Sequence, residues 1–440
     1  MIFRLCILLT VLIPLLSGCV HKSKKERQLC HKRHKLASLY ERQEPILTSE
    51  QVKNANNLKD FLKIALIQHP KVKTAYYDWI ASLEEITTQR YVQDPQLTFQ
   101  MDIEKMVTSI MPGLVQEIPG PGKIALRAAI ATEASYSKYY QFCSSLLETA
   151  FTVKNLYYDI DAIVKQIQFT RELLSLQSDI EKINKTQNHV ARASLSQVLM
   201  NEAEQDRLKT TLANLLAEQN YLVIAWKGAL GIQMQDSVPL PGSFEYTQNT
   251  LSPDTIFTIA LQKNPQLNAL RAELEKARKS TALAMKSQIP DFVIGFETNV
   301  KRHPWMWRPK GILTLPIWQE KIRAEIAAAV HAKESSKYQV SQEKIRLATA
   351  FAHALFEYEL ACYTLDLLTK QIIPKEMQKL SLAAAANTVG LSELIMLLKT
   401  KKAVIEFELE KTKVIRSREV ALATLSLLIA GIMPEAYCEL

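Results

Sequence analysis

At 440 residues the chain is long enough for two or three domains, and with 11 glycines it is poor in the turn residues that a fold of many short strands requires. A mean hydropathy of −0.06, with no run of 18 apolar residues past the N-terminus, excludes a bundle of membrane-spanning helices. The net charge of +9 is concentrated in one place, because Lys22, Lys24, Lys25, Arg27, Lys32, Arg33 and Lys35 face only Glu26, and with Arg4 they leave about +2 for everything else. A basic, nucleic-acid-binding body is excluded with it.

The N-terminus has the form of a targeting segment. Arg4 precedes a short apolar core from Ile7 to Leu16, and Leu16-Ser17-Gly18-Cys19 is similar to a bacterial lipobox. Residues 1–18 are expected to be a lipoprotein signal peptide and Cys19 the lipidated, palmitate-bearing residue of the mature chain. Val20 rather than aspartate follows, which permits sorting to the outer membrane. Residues 19–55 are polar and charged, and are expected to form an irregular, lipid-anchored basic tether that either rests on anionic headgroups or is solvated.

From Leu58 to Arg90, apolar residues recur at helical spacing, with Pro70 placed to open a second helix. The period then changes to two. Leu97, Phe99, Met101 and Ile103 alternate with Gln96, Thr98, Gln100, Asp102 and Glu104, the pattern of a strand with one apolar and one wet face. Met111-Pro112-Gly113 is expected in a loop, with a short strand to Pro119. From Gly122 to about Asn188 there is neither proline nor glycine, ~65 residues or ~100 Å of helix. Within it Leu146, Ala150, Val153, Tyr157, Ile160, Val164 and Ile167 advance by alternating fours and threes, a coiled-coil seam. A partner helix is expected from about Ser194 to Leu230.

The same order then returns. Ala65-Leu66…His69-Pro70 reappears as Ala260-Leu261…Asn264-Pro265, and Asp94-Pro95 as Ile289-Pro290, at one offset of 195. Phe292, Ile294 and Phe296 alternate with Asp291, Gly295, Glu297 and Asn299. A loop holding Pro304 and Pro309 leads to a second short strand, Gly311 to Ile317. Leu347, Phe351, Ala354, Tyr358, Ala361, Leu365 and Leu368 repeat the seam, and a last helix runs from Leu391 to Ile432. Thr149-Ala150-Phe151 returns as Thr349-Ala350-Phe351, so the offset drifts to 200. The expected organisation is a first structural repeat at 56–250, with a hairpin about 96–119, and a second at 251–440, with a hairpin about 291–317. A period of this length means two similar halves of one architecture. Four strands with an apolar face cannot close a barrel alone, so closure would require several chains; the alternative is a small soluble sheet packed on helices.

Taken together these elements resemble the TolC-type outer membrane efflux family. The doubled "AL..NP.L" element, the "P.l" entries Pro95-Gln96-Leu97 and Pro290-Asp291-Phe292, and the exits Gln116 to Lys123 and Leu315-Pro316-Ile317-Trp318 carry the resemblance over about residues 55–432. The first exit looks like that of the heavy-metal branch. The resemblance implies a mainly α fold with a small β part. A long coiled-coil helical barrel would join two β-hairpins per chain in a shared trimeric outer-membrane β-barrel. It implies a homotrimer in outer membrane lipid, extending into the periplasm, with a periplasmic adaptor and an inner-membrane pump of the RND type as partners and no nucleic acid. The function implied is a passive exit duct of a tripartite efflux system, with metal ions among the candidate cargoes; the alternative is a non-conducting periplasmic coiled-coil scaffold or tethering lipoprotein.

Thr98, Gln100, Asp102, Glu297 and Asn299 would line the barrel lumen, and Leu97, Phe99, Met101, Phe292, Ile294 and Phe296 would face lipid. Ala191, Gly390, Ser392 and Glu393 fall at the expected periplasmic tip, with Gly390 as a helix C-cap and Ser392 as the next N-cap. No GxSxG, Walker or HExxH pattern occurs, so no catalytic residue, cofactor or enzyme activity is expected. Cys30-His31 with His34, and His303 with Met306, are weak soft-metal candidates, and no resident metal is assigned. Cys30, Cys143, Cys362 and Cys438 lack CxxC spacing, and their spacing fixes no disulfide.

Overall fold

The computed structural model describes residues 22–41, 55–103, 107–189, 194–233, 235, 238–242, 253–301, 304, 306–386 and 391–429. The chain is mainly helical. Helices α1 (Lys24–Tyr40), α2 (Leu58–Gln68) and α3 (Pro70–Arg90) lead into strands β1 (Gln96–Ile103) and β2 (Val107–Ile118). Helices α4 (Lys123–His189) and α5 (Leu195–Leu230) follow. The second half gives α6 (Pro253–Lys263), α7 (Pro265–Met285), β3 (Asp291–Asn299), β4 (Met306–Thr314), α8 (Gln319–Leu367), α9 (Ile373–Ala386) and α10 (Leu391–Leu428). Between α8 and α9 lies a single π-turn, Leu368–Ile372.

Two compact units cut across the repeats instead of following them. One takes residues up to 41, 74–143 and 265–344; the other takes 42–73, 144–264 and 345 onward. The expected halves at 56–250 and 251–440 are therefore repeats of sequence and of element order, and each compact unit draws on both.

In the unit holding α2 and most of α4 and α5, one core gathers Phe61, Ile64 and Ala65 with Val153, Tyr157, Ile160, Ile163 and Ile167, and with Leu222, Trp226 and Leu230. Phe61 meets Trp226 edge-on at 4.9 Å between ring centroids. Each such ring removes ~150–250 Å² from water, roughly 4–6 kcal/mol of transfer free energy as an upper bound. Of the predicted α4 seam Val153, Tyr157, Ile160 and Ile167 are buried, Leu146 and Ala150 half-buried, and one residue falls outside it. Val164 is exposed and Ile163 takes its place, because a straight helix has 3.6 residues per turn and drifts off a strict 3.5 repeat. All seven predicted seam residues of the second half, from Leu347 to Leu368, are buried.

The repeated proline corners have a physical use. His69 ends α2, and its Nδ1 accepts a hydrogen bond from the Lys71 backbone N–H at 3.1 Å, a side-chain cap on α3. Gly231, at φ +70°, ends α5 so close to His69 that a Cβ there would lie 2.7 Å from the His69 Cα. In the second half the buried Asn264 donates from Nδ2 to the Leu428 carbonyl at 3.1 Å, close to the end of α10. Each corner thus seats against the C-terminal end of the second long helix of its own repeat.

Part of the expected tether is not irregular. Residues 24–40 form α1, capped by Ser23, whose Oγ accepts from the Glu26 N–H at 3.1 Å. Leu29 and Tyr40 are buried, and Tyr40 stacks on Tyr76 at 4.8 Å. Burial pushes the Tyr40 phenol up to about 12. The neutralised charges explain why the stretch folds: Glu26 pairs with Arg90, Lys25 with buried Glu133 at 2.6 Å, and Arg33 with Glu84. The Lys32 ammonium sits 3.8 Å from the centre of the Tyr139 ring.

Candidate functional site

The four strands make one antiparallel sheet in the order β1-β2-β3-β4, so β1 and β4 are its edges within the chain. Register assigns every residue to a face. Leu97 pairs with Leu114, Leu114 with Phe296, and Phe296 with Pro309, so one face carries an unbroken apolar row across the sheet. Phe99, Met101, Ile110, Ile118, Phe292, Ile294, Trp307 and Leu313 lie on that face. It is open: Leu97 is 79% exposed, Ile103 68% and Phe99 61%. Isolated exposed apolar residues are ordinary, but a contiguous exposed sheet face is a surface meant for lipid or protein.

The opposite face carries the charged side chains, with Val115, Val293 and Ile312 among them. Thr98 pairs with Gly113, Gly113 with Glu297, and Glu297 with Arg308. Glu297 is buried and ion-paired to Lys310 at 2.8 Å. Gly113 makes room for it: a Cβ there would stand 2.6 Å from Glu297 Cγ and 2.7 Å from Thr98 Oγ1. Arg308 reaches across to the Met111 sulfur at 3.5 Å, and the Ser109 hydroxyl donates to the Asp102 carboxylate. Alternating signs and interlocked pairs give this face the character of a wetted wall, with no cluster of three potential metal ligands among the described residues.

At the other end of the strands the "GK" of the first exit becomes a clamp. Lys123 donates from Nζ to the Asp291 carboxylate and to the Ile289 carbonyl, both at 2.8 Å, and the Gly120 N–H donates to Asp291 at 2.6 Å. The start of β3 is thereby fastened to the turn that follows β2.

The five residues expected at the lumen, Thr98, Gln100, Asp102, Glu297 and Asn299, share the polar face, and the six expected toward lipid share the apolar one. Two strand boundaries differ from expectation. β2 begins at Val107 and contains Met111-Pro112-Gly113, and β4 begins at Met306, contains Pro309 and ends at Thr314, short of Ile317. Pro112 lies one residue outside the β2–β3 register and Pro309 lies on an edge strand, where a missing N–H is tolerated. Gly113, Arg308 and Lys310, which complete the polar wall, were hidden by those prolines; the alternation around Pro309 is the signal that could have revealed them.

Cys19, Ala191, Gly390, His303 and Cys438 lie outside the described residues. Ser392 and Glu393 fall within the first turn of α10, so Ser392 stands inside the helix and not before it; their side chains are also outside the description. Ser194 does cap α5, accepting from the Gln197 N–H at 3.3 Å. Cys30, Cys143 and Cys362 are free thiols. On α1 His31 and His34 are exposed while Cys30 is half-buried, and the three form no metal cluster.

Comparison with solved structures identifies the fold. A membrane protein from Pseudomonas aeruginosa superposes with a TM-score of 0.71 at 14% identity, over 87% of this chain and 95% of that one. The Campylobacter jejuni CmeC outer membrane channel gives 0.70 at 13% identity over 90% of each chain. The open state of the Neisseria gonorrhoeae MtrE outer membrane channel gives 0.66 at 15% identity, over 85% of this chain and 89% of that one. No curated protein matches the chain by sequence. The fold is that of the TolC-like outer membrane channels. Residues 257–431 match the family model of the outer membrane efflux proteins, which places the family pattern on the second repeat.

Proposed function

We propose that the protein is the outer-membrane exit duct of a tripartite efflux system, conducting passively what an inner-membrane pump of the RND type and a periplasmic adaptor deliver. The observation that carries this is the sheet: four strands, two open edges, one continuous exposed apolar face and one ion-paired polar face. Four strands cannot close around water, whereas three copies joined β4 to β1 give a twelve-stranded barrel with lipid outside and Thr98, Gln100, Asp102, Glu297 and Asn299 inside. A second apolar stripe supports the homotrimer. Ile345, Phe356, Leu360 and Tyr363 are 53–72% exposed on the side of α8 away from its buried seam. Leu195, Leu199 and Met200, exposed in the first turns of α5, suit an adaptor at the periplasmic tip. In this reading residues 1–18 are removed, Cys19 carries the lipid anchor, and there is no catalytic step or resident cofactor. The pump selects the cargo, metal ions included.

The test is the protein mass of the purified complex in detergent, measured by light scattering with the detergent contribution removed, followed by conductance across a planar bilayer. Three copies and an open-channel current are expected. A stable monomer, or a trimer that passes no current, would leave the non-conducting scaffold in its place.

A further inference from the structure

In the unit that holds the sheet, α1 lies alongside the first turns of α4 in the same direction. Lys25 meets Glu133, the Tyr136 hydroxyl donates to the Lys25 carbonyl at 3.1 Å, and Tyr40 meets Phe142 at 5.7 Å. It runs antiparallel to α3, with Glu26 on Arg90, Arg33 on Glu84 and Tyr40 on Tyr76. The start of α1 therefore points toward the sheet and its end points away. Lys123, clamped to the first residue of β3, precedes Glu133 by ten residues, so Lys25 lies ~15 Å of helix from the sheet's end.

The inward charges of α1 are consumed by that docking. Its outward side at the sheet-proximal end carries Lys24 and Arg27, with Lys22 just ahead of the Ser23 cap, all three exposed, and no carboxylate, since Glu26 is buried against Arg90. We infer that Lys22, Lys24 and Arg27 form a fixed contact surface for anionic phospholipid headgroups on the periplasmic side of the outer membrane. This rests on the lipid-anchored duct proposed above. Chain length argues for the same occupant: Lys25 follows Cys19 by six positions, a reach of at most ~20 Å, so an anchored Cys19 can reach the bilayer only while Lys22 and Lys24 stay near it. Exposed charges act on one another within about a Debye length of ~8–10 Å, and Lys22, at most ~10 Å of chain from Cys19, stays near that range of the headgroups whenever Cys19 is anchored. The helix is held by ion pairs and a tyrosine ring, so Lys24 and Arg27 are fixed in place, with Lys22 directly before the capped first turn. Lys35, exposed three turns further along, lies beyond that range and serves as an internal control.

The experiment uses the full-length protein expressed with its own N-terminus and purified in mild detergent. Equimolar phosphatidylglycerol and phosphatidylethanolamine are added, and retained lipid is counted by native mass spectrometry. Wild type is expected to retain phosphatidylglycerol in preference, K22Q/K24Q/R27Q to lose that preference about tenfold or more, and K35Q to match wild type. An unchanged preference in the triple variant would overturn the inference, as would an equal loss in K35Q. Binding of an added polyglutamate peptide in place of phosphatidylglycerol would overturn it in favour of an acidic protein partner. The intact mass from the same sample reports acylation of Cys19. Acylated protein without lipid selection sinks this surface and leaves the anchor; selection without acylation sinks the anchor and leaves the surface.

Discussion

Helices α4 and α8 are counterparts in the two repeats, yet they treat their apolar residues differently. α4 runs 67 residues without interruption, and among the described residues Val164 is its one large apolar side chain that is clearly exposed. α8 stops at Leu367, passes through the π-turn and restarts as α9, and it leaves Tyr338, Ile345, Phe356, Leu360 and Tyr363 open. The interruption has a local cause. Pro374, in the first turn of α9, has no N–H to give to the carbonyl four residues back, that of Lys370, and the wider turn absorbs the mismatch. Two copies of one plan have thus diverged: the first satisfies itself within the chain, and the second keeps an apolar side for something else.

The comparison can be broken most directly at the seams. Tyr157→Ala and Tyr358→Ala each remove a buried ring and should each cost ~3–5 kcal/mol of stability by thermal unfolding. A seam that tolerates the change in one repeat alone would show that the two are not equivalent. Next in size is the lipid face. Phe99→Arg or Phe296→Arg should cost ~2–4 kcal/mol per site at mid-bilayer and reduce membrane insertion, read from heat-modifiable mobility on gels. On the open stripe, Phe356→Glu with Tyr363→Glu should leave the monomer folded but prevent association, whereas Val164→Glu in α4 should shift neither mass nor melting temperature by more than ~0.5 kcal/mol equivalent. Pro374→Ala restores an N–H and should slow amide exchange across 368–374 several-fold, ~1 kcal/mol.

The smallest effect is a pH dependence. Arg207 donates from Nε and Nη2 to Glu204, at 2.7 and 2.8 Å, and Lys402 on α10 adds a bond at 2.8 Å. The Arg207 bonds first, then Lys402, hold the Glu204 carboxyl down to about 2. A depressed carboxylate stabilises the fold above the unfolded value near 4.3, and that contribution is lost as pH falls toward 2. Glu204→Gln should therefore lower the melting temperature slightly at pH 5–7, with the difference from wild type vanishing near pH 2. The group is partly exposed, so screening keeps the effect below ~1 kcal/mol.

What was legible in the chain followed from strict periodicity. β1 was plain because alternation of period two survives along its whole length, β3 because only Val293 and Thr298 break it, and the second seam because its spacing never slips. β2 and β4 were half hidden, since Pro112, Gly113, Pro309 and Gly311 carry the chemistry of turns while register and an edge position let them sit in strands. The helix α1 was masked by its charge. Ser23 followed three residues later by Glu26 is a capping pattern, with Leu29 and Tyr40 on its inner side, but the partners that neutralise its cations, Glu84, Arg90 and Glu133, lie far away in sequence. The polar wall was half visible for the same reason: Glu297 shows in the alternation, but Lys310 and Gly113 acquire meaning only through pairing.

The π-turn also keeps a record. Leu368 and Ile373 are five residues apart and both buried, where an unbroken helix would place such neighbours three or four apart. A turn one residue wider lets a helix accept an inserted codon and still bring the next apolar side chain back to the same side. Such a turn is a splice, letting chain length change by a single residue while the packing downstream stays in phase.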